Sequence, residues 1–337
     1  MSGSAPSPRD IGRLAFAHAH LGAAASVPER ASSDAGFRSY WRTRAADGSP
    51  RILMDSPPER EDVRPWLAMH ARLAAGGVRV PAVLAQDPEN GWLLLEDLGA
   101  NTVLQVIDAD SADRWIARAF DQLVRLQRIA LPEAFPAYDD TLVRRELALF
   151  PDWFLARHLG LALTPSEERV WQAACAVLVA AFRNPPQGLV HRDFIVRNLM
   201  PAGDGVAVLD FQDAVRGPLA YDVLSLTKDA FVSWPQARVN GWISEYHHAA
   251  RDAGLSRADP EAFRRDLDLI GVQRHLKVLG IFARLLHRDA KPRYLADAPR
   301  FLAYLDHTLP QHPELADLHA LLAQRVFPRI TSMTLPA

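Results

Sequence analysis

The residues that could do chemistry fall in two short runs, His191-Arg192-Asp193-Phe194-Ile195-Val196-Arg197-Asn198 and Asp210-Phe211-Gln212-Asp213. A carboxylate, Asp193, is followed by an amide, Asn198, and then by a second carboxylate, Asp210, past a short apolar stretch. Leu199-Met200 and Val206-Ala207-Val208-Leu209 read as two strands, with a strong turn signal at Ala202-Gly203-Asp204-Gly205. Such a hairpin brings Asn198 and Asp210 to the same end of the strands and leaves Asp193 on the loop leading in. Phosphoryl transfer needs this set. One carboxylate accepts the proton of the acceptor hydroxyl, and an amide and a second carboxylate hold magnesium on the nucleotide phosphates.

The pattern matches the catalytic loop and metal-binding segment of protein-kinase-like phosphotransferases. A lone H-R-D would carry little, because carboxylates in turns are mostly caps. The joint match of H-R-D, the asparagine at its offset, the hairpin and D-F carries far more. Composition sets the frame. At 337 residues, the chain has room for two lobes with apolar cores. Lys+Arg 38 against Asp+Glu 40 gives a formal charge of -2, so no basic field recruits nucleic acid or anionic lipid. Cys175, the single cysteine, lies in an alanine-rich apolar run and reads as a buried core thiol, which points to the cytoplasm. The apolar run Ala173 to Phe182 is too short for a bilayer, and the start of the chain lacks a signal-peptide layout.

The elements that must position the two runs follow in order. Residues 1–8 are small, polar and expected to be disordered. Asp10 could cap a helix ending near Gly22. Phe37 to Arg44 reads as a strand, Asp47-Gly48 as a hairpin turn and Arg51-Ile52-Leu53-Met54 as the return strand. The turn before that hairpin would lie over nucleotide phosphates, with Ser32, Ser33 and Arg38 as side-chain donors; an ordinary serine-rich turn is the other reading. Protein kinases carry a phosphate-gripping lysine on the third strand. Here Met54 stands at that position, and the chain has no lysine before Lys228, so an arginine (Arg38, Arg42 or Arg51) must serve. Glu59 to Ala75 has a helical apolar period, Pro81–Ala85 and Trp92–Leu95 read as strands, and Glu96-Asp97-Leu98-Gly99 as the hinge, where adenine would bond to backbone at Glu96 and Leu98. This gives an N-terminal nucleotide-binding lobe over 1–98 and a helical lobe over 99–337 that holds the catalytic loop. In that second lobe Ser111–Ile129, Thr141–Leu159 and Arg300–Phe327 are helical, and the likeness to kinase-like folds implies that Asp222 braces the catalytic loop. Arg144 and Glu146 read equally as a solvated ion-pair face or as a pocket rim.

With these residues in hand, the chain resembles the aminoglycoside-phosphotransferase-like small-molecule kinases over nearly its whole length. Within them it is most similar to the bacterial anomeric sugar kinases that act on N-acetylmuramate and N-acetylglucosamine. The narrower resemblance rests on Ser32-Ser33-Asp34 with Phe37-Arg38-Ser39-Tyr40, Met54-Asp55-Ser56-Pro57-Pro58, and Leu93 through Gly99. It rests also on Glu146 with Phe150-Pro151-Asp152-Trp153-Phe154, Val190–Met200, Leu209–Ala214, and Gln273-Arg274-His275-Leu276-Lys277. The resemblance implies an α+β, bilobal protein-kinase-like fold with a small antiparallel-sheet lobe. It implies ATP and Mg²⁺ as cofactors and transfer of the γ-phosphate to a sugar C1 hydroxyl in peptidoglycan recycling. Asp193 would be the base, Asn198 and Asp210 the metal ligands, and Arg144, Glu146, Asp229, Arg274 and Lys277 the sugar contacts, with Arg144, Arg274 and Lys277 candidates for the lactyl carboxylate. Two rivals stay open: a kinase of this fold for an aminoglycoside or a choline-like alcohol, and a non-catalytic nucleotide-binding protein.

Overall fold

This computed structural model describes residues 7–33 and 37–330, without the side chains of Ser32, Ser33 and Ile330. Helix α1 (Pro8–Leu21) precedes strands β1 (Glu29–Ser33), β2 (Ser39–Arg44) and β3 (Pro50–Asp55); α2 (Arg64–Ala75) then leads to β4 (Val83–Asp87), β5 (Trp92–Glu96) and the short α3 (Val103–Val106). Next come α4 (Ala112–Gln127), α5 (Asp140–Leu147), a π-helical stretch (Phe150–His158) and α6 (Pro165–Arg183). Strands β6 (Gln187–Val190), β7 (Leu199–Ala202), β8 (Gly205–Val208) and β9 (Val215–Pro218) follow, then α7 (Ala220–Thr227), α8 (Gln236–Asp252), α9 (Pro260–His287), α10 (Ala298–Thr308), α11 (Ala316–Arg325) and α12 (Phe327–Ile330). The chain is α+β, and no helix among the described residues is long and apolar enough to cross a membrane.

The chain divides into two compact units. The first is residues 1–106 together with 198–212; the second is 107–197 together with 213–337. The division therefore falls later than the boundary expected after Leu98. It also assigns the β7–β8 hairpin to the first unit, because α3 packs on β7 and the Val208 amide donates to the Arg79 carbonyl (2.8 Å).

The first unit is a five-stranded antiparallel sheet in the order β1-β2-β3-β5-β4. Strand β1 corrects the reading of Ala31-Ser32-Ser33 as turn. Its polar sequence hides the strand, which pairs Glu29 with Arg42 and carries a bulge between Arg30 and Ser32. Ser7 and Pro8, expected to be disordered, instead start α1, where Ser7 and Asp10 form a reciprocal capping box; residues 1–6 lie outside the described residues. The apolar face of α1 closes one side of the sheet through Phe16 and Ala17 against Leu53 and Leu94. Arg9 (2.5 Å) and Arg13 (3.0 Å) both bind the buried Asp55 carboxylate at the end of β3.

The second unit is built around α9, whose residues are buried on every side from Leu267 to Gly280. Gly280 lets the segment before the π-helical stretch come close, since a Cβ there would stand 2.4 Å from the Leu149 carbonyl. Thr141–Leu159 is thus two helices of different winding rather than one. Strands β6 and β9 pair antiparallel on either side of the catalytic loop in sequence, a pairing that the short apolar runs did not announce.

Candidate active site

In the helical unit, the chain leaves β6 at Val190 and turns through His191 and Arg192 to Asp193. Two aspartates at either end of α7 hold that turn. Asp222 Oδ2 accepts the His191 amide (2.6 Å) and Oδ1 the Arg192 amide (3.0 Å). Just past α7, Asp229 Oδ2 accepts the Val196 amide (3.0 Å) and Oδ1 the Phe231 amide (2.7 Å). Both carboxyls are fully buried, and burial pushes each up to about 6 against the backbone N–H groups that favour the anion. The loop is clamped before and after Asp193, which itself is exposed. Asp229 thus acts on the loop backbone, which corrects its assignment to the sugar.

Arg192 occupies the left-handed region (φ 75), a conformation costly for a side chain with a Cβ. Its guanidinium is tied down in compensation. Nη2 donates to Glu146 Oε1 (2.8 Å), and the guanidinium lies 5.7 Å from the Tyr138 ring centroid. Glu146 is a hub. Besides Arg192 it takes Lys277 Nζ (2.9 Å), Gln273 Nε2 (3.2 Å) and the Tyr138 hydroxyl. Burial drives the Glu146 carboxyl up, but Lys277, Tyr138 and Arg192 outweigh it and hold the group below the usual glutamate range. Lys277 also donates to the Tyr221 hydroxyl (3.1 Å). Burial disfavours its ammonium, yet Tyr221, Glu146 and Asp193 together hold it above the ordinary lysine value. The expected sugar ligands Glu146 and Lys277 are therefore brought together, with Lys277 in the electrostatic reach of Asp193.

In the sheet unit, the β7–β8 hairpin is closed beyond its strands by the Leu209 amide on the Asn198 carbonyl (2.9 Å), which sets Asn198 and Asp210 at one end. Asp210 is exposed and sits at φ 62, while Phe211 is buried against Trp66 (5.1 Å between ring centroids) and His70 (6.1 Å) of α2. The buried ring anchors the segment and turns its carboxylate outward. One amide oxygen and one carboxylate, with no third acidic, histidine or cysteine ligand grouped among the described residues, suit Mg²⁺, which keeps waters and phosphate oxygens in its shell.

Of the three candidate arginines, Arg42 is bound in a two-pronged pair to Asp97 (2.6 and 3.0 Å), and Arg51 donates to the Pro50 carbonyl. Arg38 differs. Its side chain is 9% exposed and its Nε lies 3.3 Å from Glu61 Oε2, just ahead of α2, while Nη1 has no hydrogen-bond partner among the described residues. The Glu96 side chain is held by Arg79 (2.5 Å), and its amide donates to the Ala82 carbonyl (2.9 Å). Leu98 follows, half-buried. Ser32 and Ser33 end β1, but their side chains, like residues 34–36 of the expected phosphate turn, lie outside the described residues.

A model of APH, the phosphotransferase enzyme family, matches residues 28–265. The chain belongs to this family. It is 51% identical over 295 residues, 87% of either chain, to a Pseudomonas putida protein named N-acetylmuramate/N-acetylglucosamine kinase. A protein of the same name from Neisseria meningitidis serogroup B is 42% identical over 303 residues, 88% of this chain and 90% of the other. Among solved structures, the ADP-bound aminoglycoside phosphotransferase APH(2'')-Ib is similar with a TM-score of 0.58 at 13% identity, covering 86% of this chain and 96% of that one. That likeness shows the protein-kinase-like fold.

Two expected sugar residues of this phosphotransferase stand apart from the Glu146 hub. Arg144 is exposed on α5, about 200° round the helix from Glu146. Arg274 is buried on α9, about 60° round the helix from Lys277, and acts on Asp229. Sequence reasoning missed Arg192, Tyr138 and Tyr221 as parts of the site. The signal available was the place of Arg192 in the His191-Arg192-Asp193 run, directly before the base.

Proposed function

We propose that this phosphotransferase is an ATP-dependent sugar kinase. It transfers the γ-phosphate to the anomeric hydroxyl of N-acetylmuramate and N-acetylglucosamine, a cytoplasmic step of peptidoglycan recycling. The observation that carries the reading is the base, amide and carboxylate (Asp193, Asn198, Asp210) present in a chain 51% identical over 295 residues to a kinase of that name.

Asp193, exposed on a loop clamped at both ends, orients the sugar hydroxyl and accepts its proton late in transfer. An anomeric hydroxyl is more acidic than an ordinary alcohol, so little is asked of the base. Lys277 places a positive charge near Asp193, at a point where many protein kinases use a lysine two residues after the base and this chain has Ile195. Asn198 and Asp210 would hold Mg²⁺, which neutralises phosphate charge when bound. Arg38 takes the place of the strand lysine: it is the candidate arginine with a buried donor, Nη1, left open among the described residues, and Glu61 pairs with its Nε from the segment ahead of α2. Positioning and charge neutralisation then supply most of the rate.

The test is ADP release from MgATP with N-acetylmuramate, N-acetylglucosamine, choline and kanamycin as separate acceptors. Turnover is expected with the amino sugars, to be lost on chelation by EDTA. Asp193→Asn should abolish turnover and retain nucleotide binding. Turnover with choline or kanamycin alone overturns the substrate, and full activity in Asp193→Asn overturns the base.

A further inference from the structure

The side of α9 that carries Arg274 meets a second cluster, which the phosphoryl-transfer chemistry does not use. Arg274 is 3% exposed, and its Nη1 finds no hydrogen-bond partner among the described residues. Arg300 on α10 reaches the same place. Its Nη2 touches Asp297 Oδ1 (3.3 Å), while Nη1 is buried and likewise without a partner among the described residues. The two guanidiniums are near enough to Asp229 and to Tyr304 to favour the anionic form of both groups. Tyr304 in turn shares a hydrogen bond with Ser233 Oγ (3.2 Å) and packs against His275 (5.1 Å between ring centroids).

Hydrogen bonding leaves a remainder here. Burial, Lys228 and Arg274 drive His275 well below the usual histidine range, so it stays neutral. Lys228 is matched by Asp268 at 4.0 Å. Arg300 has Asp297 at 3.3 Å, and both guanidiniums act on Asp229, whose two oxygens already take the Val196 and Phe231 amides. Nη1 of each guanidinium is left without an acceptor among the described residues, and a buried donor without an acceptor is costly. A carboxylate, with two acceptor oxygens for two guanidinium donors, matches the pair. Its position follows from Asp229, which holds the amide of Val196, three residues after the base.

We propose that Arg274 and Arg300 form a carboxylate subsite beside the catalytic loop, and that it receives the lactyl carboxylate of N-acetylmuramate. This rests on the amino-sugar kinase reading and deepens it: these two arginines, rather than Arg144 or Lys277, are the cations that tell the acid sugar from the neutral one. Arg300, with 24% of its side chain exposed, is the approach side, and Arg274 is the buried floor.

The test is kcat/KM for N-acetylmuramate and for N-acetylglucosamine, measured in parallel at saturating MgATP for wild type, Arg300→Gln and Arg300→Lys. The readout is the ratio of the two values, which cancels losses of folded enzyme. In Arg300→Gln the ratio falls about 10- to 100-fold, through KM of the acid sugar, and Arg300→Lys restores part of it. The methyl ester of N-acetylmuramate, neutral at the lactyl group, is as poor a substrate for wild type as for Arg300→Gln. A ratio unchanged within about threefold, or an ester used as well as the acid by wild type, overturns the subsite. A wild-type enzyme that turns over neither sugar overturns the kinase reading itself, and the subsite with it.

Discussion

Removing the Glu146 charge should be more damaging than removing the Lys277 charge, because the buried cluster around Glu146 holds two cations and one anion. In Glu146→Gln, Arg192 and Lys277 lose their shared carboxylate at 2.8 and 2.9 Å while both stay charged. Breaking a buried pair in this way costs about 3–5 kcal/mol. For 337 residues the unfolding entropy is about 0.7 kcal/mol per degree, so the melting temperature should fall by roughly 4–7 °C. Activity falls as well, since Arg192 is kept at φ 75 next to Asp193 by this contact. Lys277→Met leaves the Glu146–Arg192 pair matched one to one. It should cost under about 2 kcal/mol, roughly 3 °C or less, yet lower kcat about tenfold or more, because the charge facing Asp193 is gone. Differential scanning fluorimetry and ADP-release kinetics on both variants separate the two effects. The reasoning is refuted if Glu146→Gln melts within about 1 °C of wild type, or if Lys277→Met proves the less stable variant with wild-type kcat.

The remaining predictions concern the loop clamps and the nucleotide. Asp222 and Asp229, at about 6, protonate as pH falls through that value, so kcat should decline below about pH 6 as their grip on the loop amides weakens. Folding runs the other way. With folded values above the ordinary 3.8, their contribution to stability is full below 3.8 and lost as pH rises through about 6. Asp229→Asn should therefore make the acid limb shallower and shrink the gain in urea stability between pH 7 and pH 5; profiles identical to wild type would contradict the clamp. Arg38→Met should raise the KM for ATP about tenfold or more with little change in sugar KM, whereas Arg42→Met, which unpairs Asp97, should show mainly as lost stability. An unchanged ATP KM in Arg38→Met would return the phosphate role to another arginine.

How much of this was legible in the sequence depends on how local each feature is. Asn198 and Asp210 flank a hairpin whose turn and apolar strands are written within a dozen residues, and the hairpin forms as read. Asp222 was placed correctly as a brace, because kinase-like folds, which the loop resembles, carry an aspartate there. Glu146 and Lys277 were singled out, but their bond to each other was not, because the pair closes over 131 positions and neither residue announces its partner. Asp229 was read as a substrate ligand for the same reason: a buried aspartate looks like any other until the Val196 amide is found on it. Strand β1 escaped because an exposed edge strand with a bulge has no apolar alternation. The break between α5 and the π-helical stretch escaped because it is set by the close approach to Gly280.

The most direct measurement is phosphorus NMR on the product made from N-acetylglucosamine and MgATP. An anomeric phosphate, coupled to the C1 proton of the sugar and absent with Asp193→Asn, is the predicted result. A phosphate on any other oxygen, or the same product from Asp193→Asn, would contradict the account.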